Sequence, residues 1–483
     1  MFIIDLVRIL SVLISLIGTA MVIPIFTAIY CHELNIISSF LIPMVCSWVL
    51  CIFINIPFNI KKQKINLNIR KTFVVVACCW IFASLFGMIP FYISGVIPNF
   101  TNAFFESVSG FSTTGCTILH DISNVPRSIN MWRCLTHWLG GMGIVGLTVA
   151  ILPLLGSGGF QLIKAESTGP EKEKVAAKIT TTAKILWIFY VSFTVIQAVL
   201  LKIFGMDFVD SFAHAFSTLG TGGFSTVQNS IGEYNSFAIE IICTIFMVIS
   251  GINFSLFYFA FRKKWNEIFK NSELKIYLAI IILISIMLSI CLTKVYGSFW
   301  RAARYSVFQT VSVITTTGFF TADFCVWPET AKFFIFVLFF IGGCSGSTAG
   351  GVKVVRWIIL LKQAGNEIRK IIHPRGVFSL RLNDEIARKE LVFSSSTFFI
   401  LYLFLVLITT FVGCLGSLDI FTAFSAGVSM VGNIGPAFGS LCPSANFDFL
   451  PIFVKWWYCF AMLAGRLELY TMIIFFMPAY WKN

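Results

Sequence analysis

Long apolar runs alternate with short polar breaks along the whole chain. Runs long enough to cross a bilayer recur throughout it. Ten candidate spans lie at residues 2–29, 39–59, 72–95, 132–155, 183–204, 237–261, 274–293, 331–361, 392–415 and 450–480. The pattern therefore predicts an all-α integral membrane protein.

From residue 72 onward the pattern repeats about every 100 residues. Each unit has an apolar span, a polar break, a short apolar stretch, a glycine-rich segment, a loop and a second span. The predicted division is an N-terminal two-helix hairpin and four such units, at 1–71, 72–182, 183–273, 274–391 and 392–483.

The short apolar stretches are too short to cross a membrane. They lie at 103–112, 209–219, 304–315 and 420–431. A helix of about 10 residues reaches about 15 Å, which is half a bilayer. We expect each stretch to enter the membrane as a half-helix and to return on the same side.

A glycine-rich segment follows each half-helix, and we call these four the glycine segments. They are Gly110-Phe111-Ser112-Thr113-Thr114-Gly115, Leu219-Gly220-Thr221-Gly222-Gly223-Phe224, Thr315-Thr316-Thr317-Gly318-Phe319 and Gly432-Asn433-Ile434-Gly435-Pro436. Non-helical backbone at membrane depth is tolerated where it faces protein or a water-filled cavity. Close helix packing is the alternative role for small residues. Four copies at one position of each unit favour the walls of one ion pore, arranged pseudo-fourfold.

Composition and charge agree with a membrane protein. The chain is 57% hydrophobic and 12% charged, which excludes an ordinary soluble protein. The net charge of +13 comes from Lys and Arg in alternate loops, such as 61–71, 262–275 and 353–389. This positive-inside pattern makes those loops cytoplasmic, with contact to anionic membrane lipid as a secondary effect, and argues against nucleic-acid binding. The glycine segments then enter from the outer side, and the partially negative C-terminal ends of the half-helices point inward and favour a cation.

Cysteine and histidine give no catalytic or metal-binding pattern. Most of the 14 cysteines lie inside apolar runs, no Cys-x-x-Cys pair occurs, and we expect neither a disulfide framework nor a resident metal site. His137 and His214 have no matching acid or thiol spacing, so an intramembrane enzyme is a remote alternative.

Residues 342–351, which we call the glycine loop, interrupt the long run 331–361. Five of these ten residues are glycine, and a regular helix is costly there. The spacing of Gly346 and Gly351 to Lys353 fails the phosphate-loop pattern. A broken helix lining the pore is the better interpretation.

Two charged residues lie at membrane depth. Glu106, on the first half-helix, either concentrates cations at the pore or braces the pore wall by hydrogen bonding. Arg466, in the last span, needs a partner and is either a structural ion-pair residue or part of the pore.

The chain resembles the Trk-type potassium-uptake membrane subunits (the TrkH/TrkG family) of the Trk/Ktr/HKT superfamily. The motifs that carry the resemblance are Phe104-Phe105-Glu106-Ser107-Val108-Ser109-Gly110-Phe111-Ser112-Thr113-Thr114-Gly115, His214-Ala215-Phe216-Ser217-Thr218, Gly342-Gly343-Cys344-Ser345-Gly346-Ser347-Thr348-Ala349-Gly350-Gly351 and Gly465-Arg466-Leu467-Glu468. The likeness covers essentially the whole chain.

The resemblance implies potassium uptake through a carbonyl-lined filter in the bacterial inner membrane. It implies that the key glycines are Gly115, Gly223, Gly318 and Gly435, with Gly222 and Gly223 leaving the second copy ambiguous by one residue. The neighbours that would supply carbonyls are Thr113, Thr114, Thr221, Gly222, Thr316, Thr317, Asn433 and Ile434. A glycine rather than a serine in the first copy favours potassium over sodium, whereas Asn433 and Pro436 depart most from the pattern and loosen that expectation.

The resemblance also implies a gate and partners. The gate would be the glycine loop, through Gly342, Gly343, Ser345, Gly346, Ser347, Gly350 and Gly351, together with Arg466 as a cationic barrier in the pore. The partners would be a second copy of the chain in a homodimer and a cytosolic TrkA-type subunit that binds NAD, ATP or ADP, docked near 353–391. A less selective sodium and potassium pathway, or an ion-coupled symporter, is the alternative function.

Overall fold

The structure is a computed structural model that describes residues 2–60, 69–143, 179–383, 385–386, 389–467, 469–474 and 477–478. The helices of the first half are α1 (Phe2–Ala20), α2 (Val22–Tyr30), α3 (Ile37–Ile60), α4 (Ile69–Gly87), α5 (Ile89–Ile93), α6 (Phe100–Phe111), α7 (Arg127–Gly141), α8 (Ile179–Ile203), α9 (Phe208–Gly220) and α10 (Phe237–Ser250). The second half has α11 (Phe254–Phe261), α12 (Trp265–Lys270), α13 (Ser272–Tyr296), α14 (Phe299–Ile314), α15 (Glu329–Leu338), α16 (Val354–Ile372), α17 (Lys389–Leu415), α18 (Ile420–Gly432), α19 (Ile452–Arg466) and α20 (Tyr470–Ile473).

Six described helical stretches are long and apolar enough to cross a membrane. They are Ile3–Tyr30, Leu34–Pro57, Lys71–Ile93, Lys184–Ile203, Ser272–Tyr296 and Glu390–Leu415. They coincide with the two predicted spans of the N-terminal hairpin and with the first predicted span of every unit. The prediction of a helical membrane protein is confirmed.

The second predicted span of each unit is shorter or broken where it is described. The predicted span 132–155 begins as α7, which ends at Gly141, and residues 144–178 lie outside the described part. The predicted span 237–261 is instead α10 and α11, bent by 93°. The bend has a local cause, because Asn253 starts a new helix by accepting a hydrogen bond from Ser255 N at 2.8 Å.

The second spans of the last two units are also broken; a break in the third unit was predicted at the glycine loop, whereas the break in the fourth was not. Within 331–361, helix stops at Leu338 and resumes at Val354, so the break is wider than the glycine loop. Within 450–480, the helix α19 ends at Arg466 and the next helix, α20, begins at Tyr470, so this span is also broken. Continuous apolar composition does not reveal the breaks after Ser250 and Arg466, because a broken helix inside the protein buries the same apolar surface as a straight one.

The four short helices α6, α9, α14 and α18 match the predicted half-helices to within five residues at either end. Two begin with side-chain caps, in which Asn99 accepts from Asn102 N and Asp419 accepts from Thr422 N. Their later residues are almost entirely buried, as from Ala103 to Phe111 in α6. The half-helices therefore lie in the core, surrounded by the long helices.

A small antiparallel hairpin was not predicted. Its strands are β1 (Arg381–Leu382) and β2 (Glu385–Ile386), with Arg381 opposite Ile386. Lys362 of α16 donates to the Arg381 carbonyl at 2.9 Å, and the Asn383 side chain accepts from Ser272 N at 2.8 Å. The hairpin thus joins α16 to the start of α13 in the region predicted to be cytoplasmic.

The expectation of no disulfide is wrong for one pair. Cys325 and Cys442 are bonded, with their Cα atoms 6.2 Å apart. They lie in the loops that follow the third and fourth glycine segments, on the side predicted to be outside the cytoplasm, where disulfides persist. Both lie outside the apolar runs, and their pairing across 117 residues has no signal in the spacing of cysteines.

We predict that Cys325→Ser and Cys442→Ser each destabilise the purified protein by about 2–4 kcal/mol, because the bond closes a long loop of the unfolded chain. Thermal unfolding in detergent measures the effect. Reductant should lower the melting temperature of the unmodified protein to that of the variants, and leave the variants unchanged. Cys46→Ser, at an exposed free cysteine, is the control. A melting temperature insensitive to reductant contradicts the pairing.

Candidate ion-conduction site

All four half-helices end in the same way. In each, one residue adopts the left-handed conformation and the next N–H reaches back to the carbonyl five residues earlier, which is a Schellman turn. The left-handed residues are Thr113, Thr221, Thr316 and Asn433, with φ of 57°, 54°, 53° and 53°. The backbone hydrogen bonds of these turns measure 2.9–3.4 Å. The four helix ends differ in sequence but thus adopt the same backbone conformation.

Threonine is unfavourable in this conformation, since a β-branched side chain crowds the left-handed backbone. The side chains of two of these three threonines form hydrogen bonds with the glycine loop. Thr221 Oγ1 donates to the Thr348 carbonyl at 2.9 Å, and Thr316 Oγ1 accepts from Gly350 N at 2.7 Å. The fourth segment differs, because Asn433 Nδ2 donates to Thr114 Oγ1 and to the Met462 carbonyl.

Two residues after each left-handed residue, a glycine has positive φ. The glycines are Gly115, Gly223, Gly318 and Gly435, with φ of 85°, 82°, 82° and 102°. Gly223 and not Gly222 has the positive φ, so the second segment takes the same register as the other three. A side chain at Gly222 would instead overlap the His137 ring.

The four glycines lie against one another's segments in cyclic order. A Cβ atom at Gly115 would overlap the Gly222 carbonyl oxygen, and one at Gly223 would overlap that of Thr317. One at Gly318 would approach the Ile434 oxygen, and one at Gly435 would overlap that of Thr114. The carbonyl oxygen of the residue before each glycine therefore lies close to the glycine of the preceding segment, and the four segments close a ring.

A small cavity opens onto this ring. It has a volume of about 60 Å³ and all four glycines line it, together with Arg133, Gln228 and Cys442 from the surrounding loops. Such a volume holds several water molecules. The ring thus has a polar, hydratable space on one side.

Glu106 does not face this cavity. Its carboxylate is fully buried and pairs with Arg133 Nε at 2.8 Å. It also accepts from Thr117 Oγ1 and from Ile118 N at 3.0 Å, just beyond the first glycine segment. Arg133 in turn donates to the Ser225 carbonyl after the second segment and lies over the Phe224 ring.

Arg133 was not among the predicted functional residues. The available signal was an arginine inside the predicted span 132–155, a position that needs a buried partner. His214 lies behind the second segment, with Nε2 3.0 Å from Ser225 Oγ.

The glycine loop lies directly against the other face of the ring. Besides the contacts with Thr221 and Thr316, a side chain at Gly350 would crowd the Gly432 carbonyl. The loop also contacts the break between α10 and α11, where Cys344 N donates to the Gly251 carbonyl at 2.9 Å and Thr348 N to that of Ser250 at 3.3 Å. The loop therefore fills the space between the ring and a broken helix.

Arg466 contacts both the glycine loop and α7. Nη1 donates to the Thr348 carbonyl at 2.8 Å, and Nη2 donates to the carbonyls of Gly140 and Gly141 at 2.7 and 2.8 Å. A cation at the C-terminal carbonyls of a helix is favourable. Glu468, which belongs to the same sequence motif, lies outside the described residues.

An ionic network fastens the outer end of the fourth unit. Lys455 Nζ lies 3.1 Å from Asp448 Oδ1, and His120 Nε2 lies 3.0 Å from Asp448 Oδ2. Burial raises the pKa of Asp448, but hydrogen bonds from His120, Lys455 and Asn102 outweigh it and hold that pKa below its usual value. Acid that protonates this carboxylate therefore weakens the network.

Comparison with known proteins identifies the family. A family model described as TrkH, cation transport protein, matches residues 44–483. The chain belongs to the TrkH family. It is a multi-pass protein of the bacterial inner membrane.

Relatives within the TrkH family match over most of their length. The chain is 41% identical to the Trk system potassium uptake protein TrkH of Halomonas elongata over 88% of both chains. It is 35% identical to the protein of the same name from Vibrio parahaemolyticus over 99% of both chains. The crystal structure of the potassium transporter TrkH from Vibrio parahaemolyticus superposes with a TM-score of 0.86 at 32% identity and covers all of both chains. These matches confirm the resemblance on which the sequence predictions were based.

We predict that Glu106→Ala destabilises the protein by about 3–5 kcal/mol, because it leaves the Arg133 guanidinium buried without its carboxylate. Thermal unfolding in detergent measures the loss. Glu329→Ala is the control, since Glu329 is exposed and its pair with Lys332 contributes little. The double variant Glu106→Leu with Arg133→Met should recover much of the loss. A melting temperature of Glu106→Ala equal to that of the control contradicts the bracing role.

Proposed function

We propose that this chain mediates potassium uptake through a filter formed by the four glycine segments. The half-helices α6, α9, α14 and α18 act as re-entrant pore helices in a pseudo-fourfold arrangement. The filter residues are Thr113, Thr114, Gly115, Thr221, Gly222, Gly223, Thr316, Thr317, Gly318, Asn433, Ile434 and Gly435. The printed names of the relatives, which are potassium uptake proteins, support the choice of ion.

The observation that carries the proposal is the cyclic order of the four glycines. Each lies against the carbonyl of the next segment, and all four line one cavity. Carbonyl oxygens replace the water that potassium sheds in a narrow filter. The half-helix C-termini point at the same place and add a favourable field for a cation.

The glycine loop is the gate of the proposed pathway. It lies against the face of the ring opposite the cavity and makes hydrogen bonds with Thr221 and Thr316. Arg466 places its charge beside the loop, where it repels a cation and holds the loop through the Thr348 carbonyl. Glu106 serves as a brace of the filter wall, since its buried carboxylate does not line the cavity and pairs with Arg133, which does.

Regulation and assembly follow the family resemblance. We propose a homodimer controlled by a cytosolic TrkA-type subunit that binds nucleotide. Helix α16 carries Lys362, Arg369 and Lys370, and strand β1 carries Arg381, on the predicted cytoplasmic side, which supports this region as the docking surface.

A second candidate function is a less selective sodium and potassium pathway. The fourth segment favours this function, because Asn433 takes the place of a threonine and its amide donates hydrogen bonds to Thr114 Oγ1 and the Met462 carbonyl. Four unequal segments make an uneven coordination shell, which discriminates less by size.

We predict that Gly115→Ser lowers the potassium-over-sodium permeability ratio about tenfold, since the left-handed backbone and the nearby Gly222 carbonyl both oppose a side chain there. Radiotracer flux or reversal potentials in liposomes containing the purified protein measure the ratio. Potassium flux by the unmodified protein, with and without a proton gradient, tests the function itself and separates a channel from a coupled transporter.

Gly95→Ser is the matched control for this variant. Gly95 also has positive φ, at 74°, but no atom lies within 4 Å of its Cβ position. It reproduces the backbone strain without touching the filter. A well-folded Gly115→Ser protein with the permeability ratio of this control contradicts Gly115 as a filter residue.

We predict that Arg466→Ala raises potassium flux per molecule several-fold, because it removes a positive charge from a weakly screened path and one of the two side-chain hydrogen bonds to the Thr348 carbonyl. Flux normalised to reconstituted protein measures the change. Arg262→Ala, at an exposed residue of a cytoplasmic loop, is the control. Lower stability without any gain in flux would make Arg466 a packing residue instead.

A further inference from the structure

Glu273 lies where the glycine loop meets the cytoplasmic side of the protein. It is the second residue of α13 and is 7% exposed, an unusual environment for a carboxylate. The basic loop just before it places this end of α13 on the cytoplasmic side. Neither the filter nor the barrier described above accounts for this carboxylate.

One oxygen of this carboxylate joins two segments on either side of the loop's end. Glu273 Oε1 accepts from Ser345 N at 2.7 Å and from Val355 N at 3.1 Å. Ser345 belongs to the glycine loop, and Val355 lies in the first turn of α16, whose N–H groups have no partners within the helix. An anion is favourable at this helix N-terminus. The same oxygen thus fixes the loop and the helix that follows it.

The position of Glu273 is itself fixed. Asn271 caps α13 by accepting from Leu274 N at 2.8 Å, and Asn383 of the β1–β2 hairpin accepts from Ser272 N at 2.8 Å. The carboxylate therefore projects from a helix end that the cytoplasmic hairpin holds in place. At Cys344, the residue before Ser345, the contact is instead made by backbone groups, because Cys344 N donates to the Gly251 carbonyl.

We propose that Glu273 is a positioning residue that latches the glycine loop closed from the cytoplasmic side. The inference rests on the gate assigned to that loop under the proposed function. Without the carboxylate, two buried N–H groups lose their acceptor in the closed position, whereas water satisfies them once the loop moves away. Loss of the latch therefore favours the open state and leaves the filter unchanged.

The test compares variants that separate reach from charge in the full-length protein in liposomes. Glu273→Ala removes the acceptor, and Glu273→Asp keeps the charge but withdraws the oxygen by one methylene group. Both should raise basal potassium flux per molecule about tenfold, with the potassium-over-sodium ratio unchanged. Glu273→Gln keeps an oxygen at the same reach but loses the charge, and should raise the flux clearly less than Glu273→Ala, since a neutral oxygen still accepts from both N–H groups but more weakly. Glu267→Ala, at an exposed acidic residue of α12, should not change the flux.

A second measurement does not depend on flux. Cys344, next to Ser345, is 1% exposed, and its labelling by a membrane-permeant maleimide reports the loop position. We expect site-resolved mass spectrometry to find faster labelling of Cys344 in Glu273→Ala and Glu273→Asp than in the unmodified protein. A merely structural role predicts lower thermal stability without faster labelling of folded protein and without greater flux.

Deletion of residues 345–350 distinguishes a failure of the proposed gate from a failure of the proposed latch. If the deletion conducts more and Glu273→Ala adds nothing to it, the latch acts through the loop. If the deletion conducts more but neither Glu273→Ala nor Glu273→Asp changes flux or Cys344 labelling, the latch proposal is wrong and the gate stands. If the deletion leaves flux unchanged, the gate assignment itself fails, and the latch proposal fails with it.

Discussion

The structure depends on one constraint, which is that backbone polar groups inside a membrane protein need partners. The half-helices end in the buried core, where their last carbonyls would otherwise remain without hydrogen bonds. The Schellman turns at Thr113, Thr221, Thr316 and Asn433 satisfy several of these carbonyls. The next carbonyl oxygen in each segment lies close to its neighbour's glycine, and in the proposed pore the passing ion is its partner.

The glycine loop meets the same constraint differently. Its N–H groups use acceptors drawn from several elements, namely the Ser250 and Gly251 carbonyls, Thr316 Oγ1 and Glu273 Oε1. Each of these is a bond that water replaces at little net cost once water enters. A segment held in this way is ordered in one position, and among its residues 342–351 the buried hydrophobic side chains are those of Cys344 and Ala349. That is the physical character required of an element that moves.

The sequence predicted the half-helices well because their signal is strong. In a membrane protein, an apolar stretch of half-bilayer length followed by small polar residues and glycine is compatible with few structures besides a half-helix and a turn. The glycine register of the second segment was not predictable, because Gly222 and Gly223 are adjacent and only the backbone angle distinguishes them. The break after Ser250 was missed, since Gly251 and Asn253 stand inside an otherwise apolar run. The contacts of Arg133 with Glu106 and of Glu273 with Ser345, and the Cys325–Cys442 bond, join distant parts of the chain. The local pattern of a single sequence does not reveal such pairs.

The cyclic order of the four glycines has a consequence for inheritance. Each glycine is constrained by the carbonyl of the following segment rather than by its own, so the units are not free to diverge one at a time. A change tolerated in one segment alters the space available to the neighbour on one side only. A substitution in one segment should therefore be compensated in the adjacent segment on one side. Related sequences would then show coupled substitutions between successive units more often than between opposite ones.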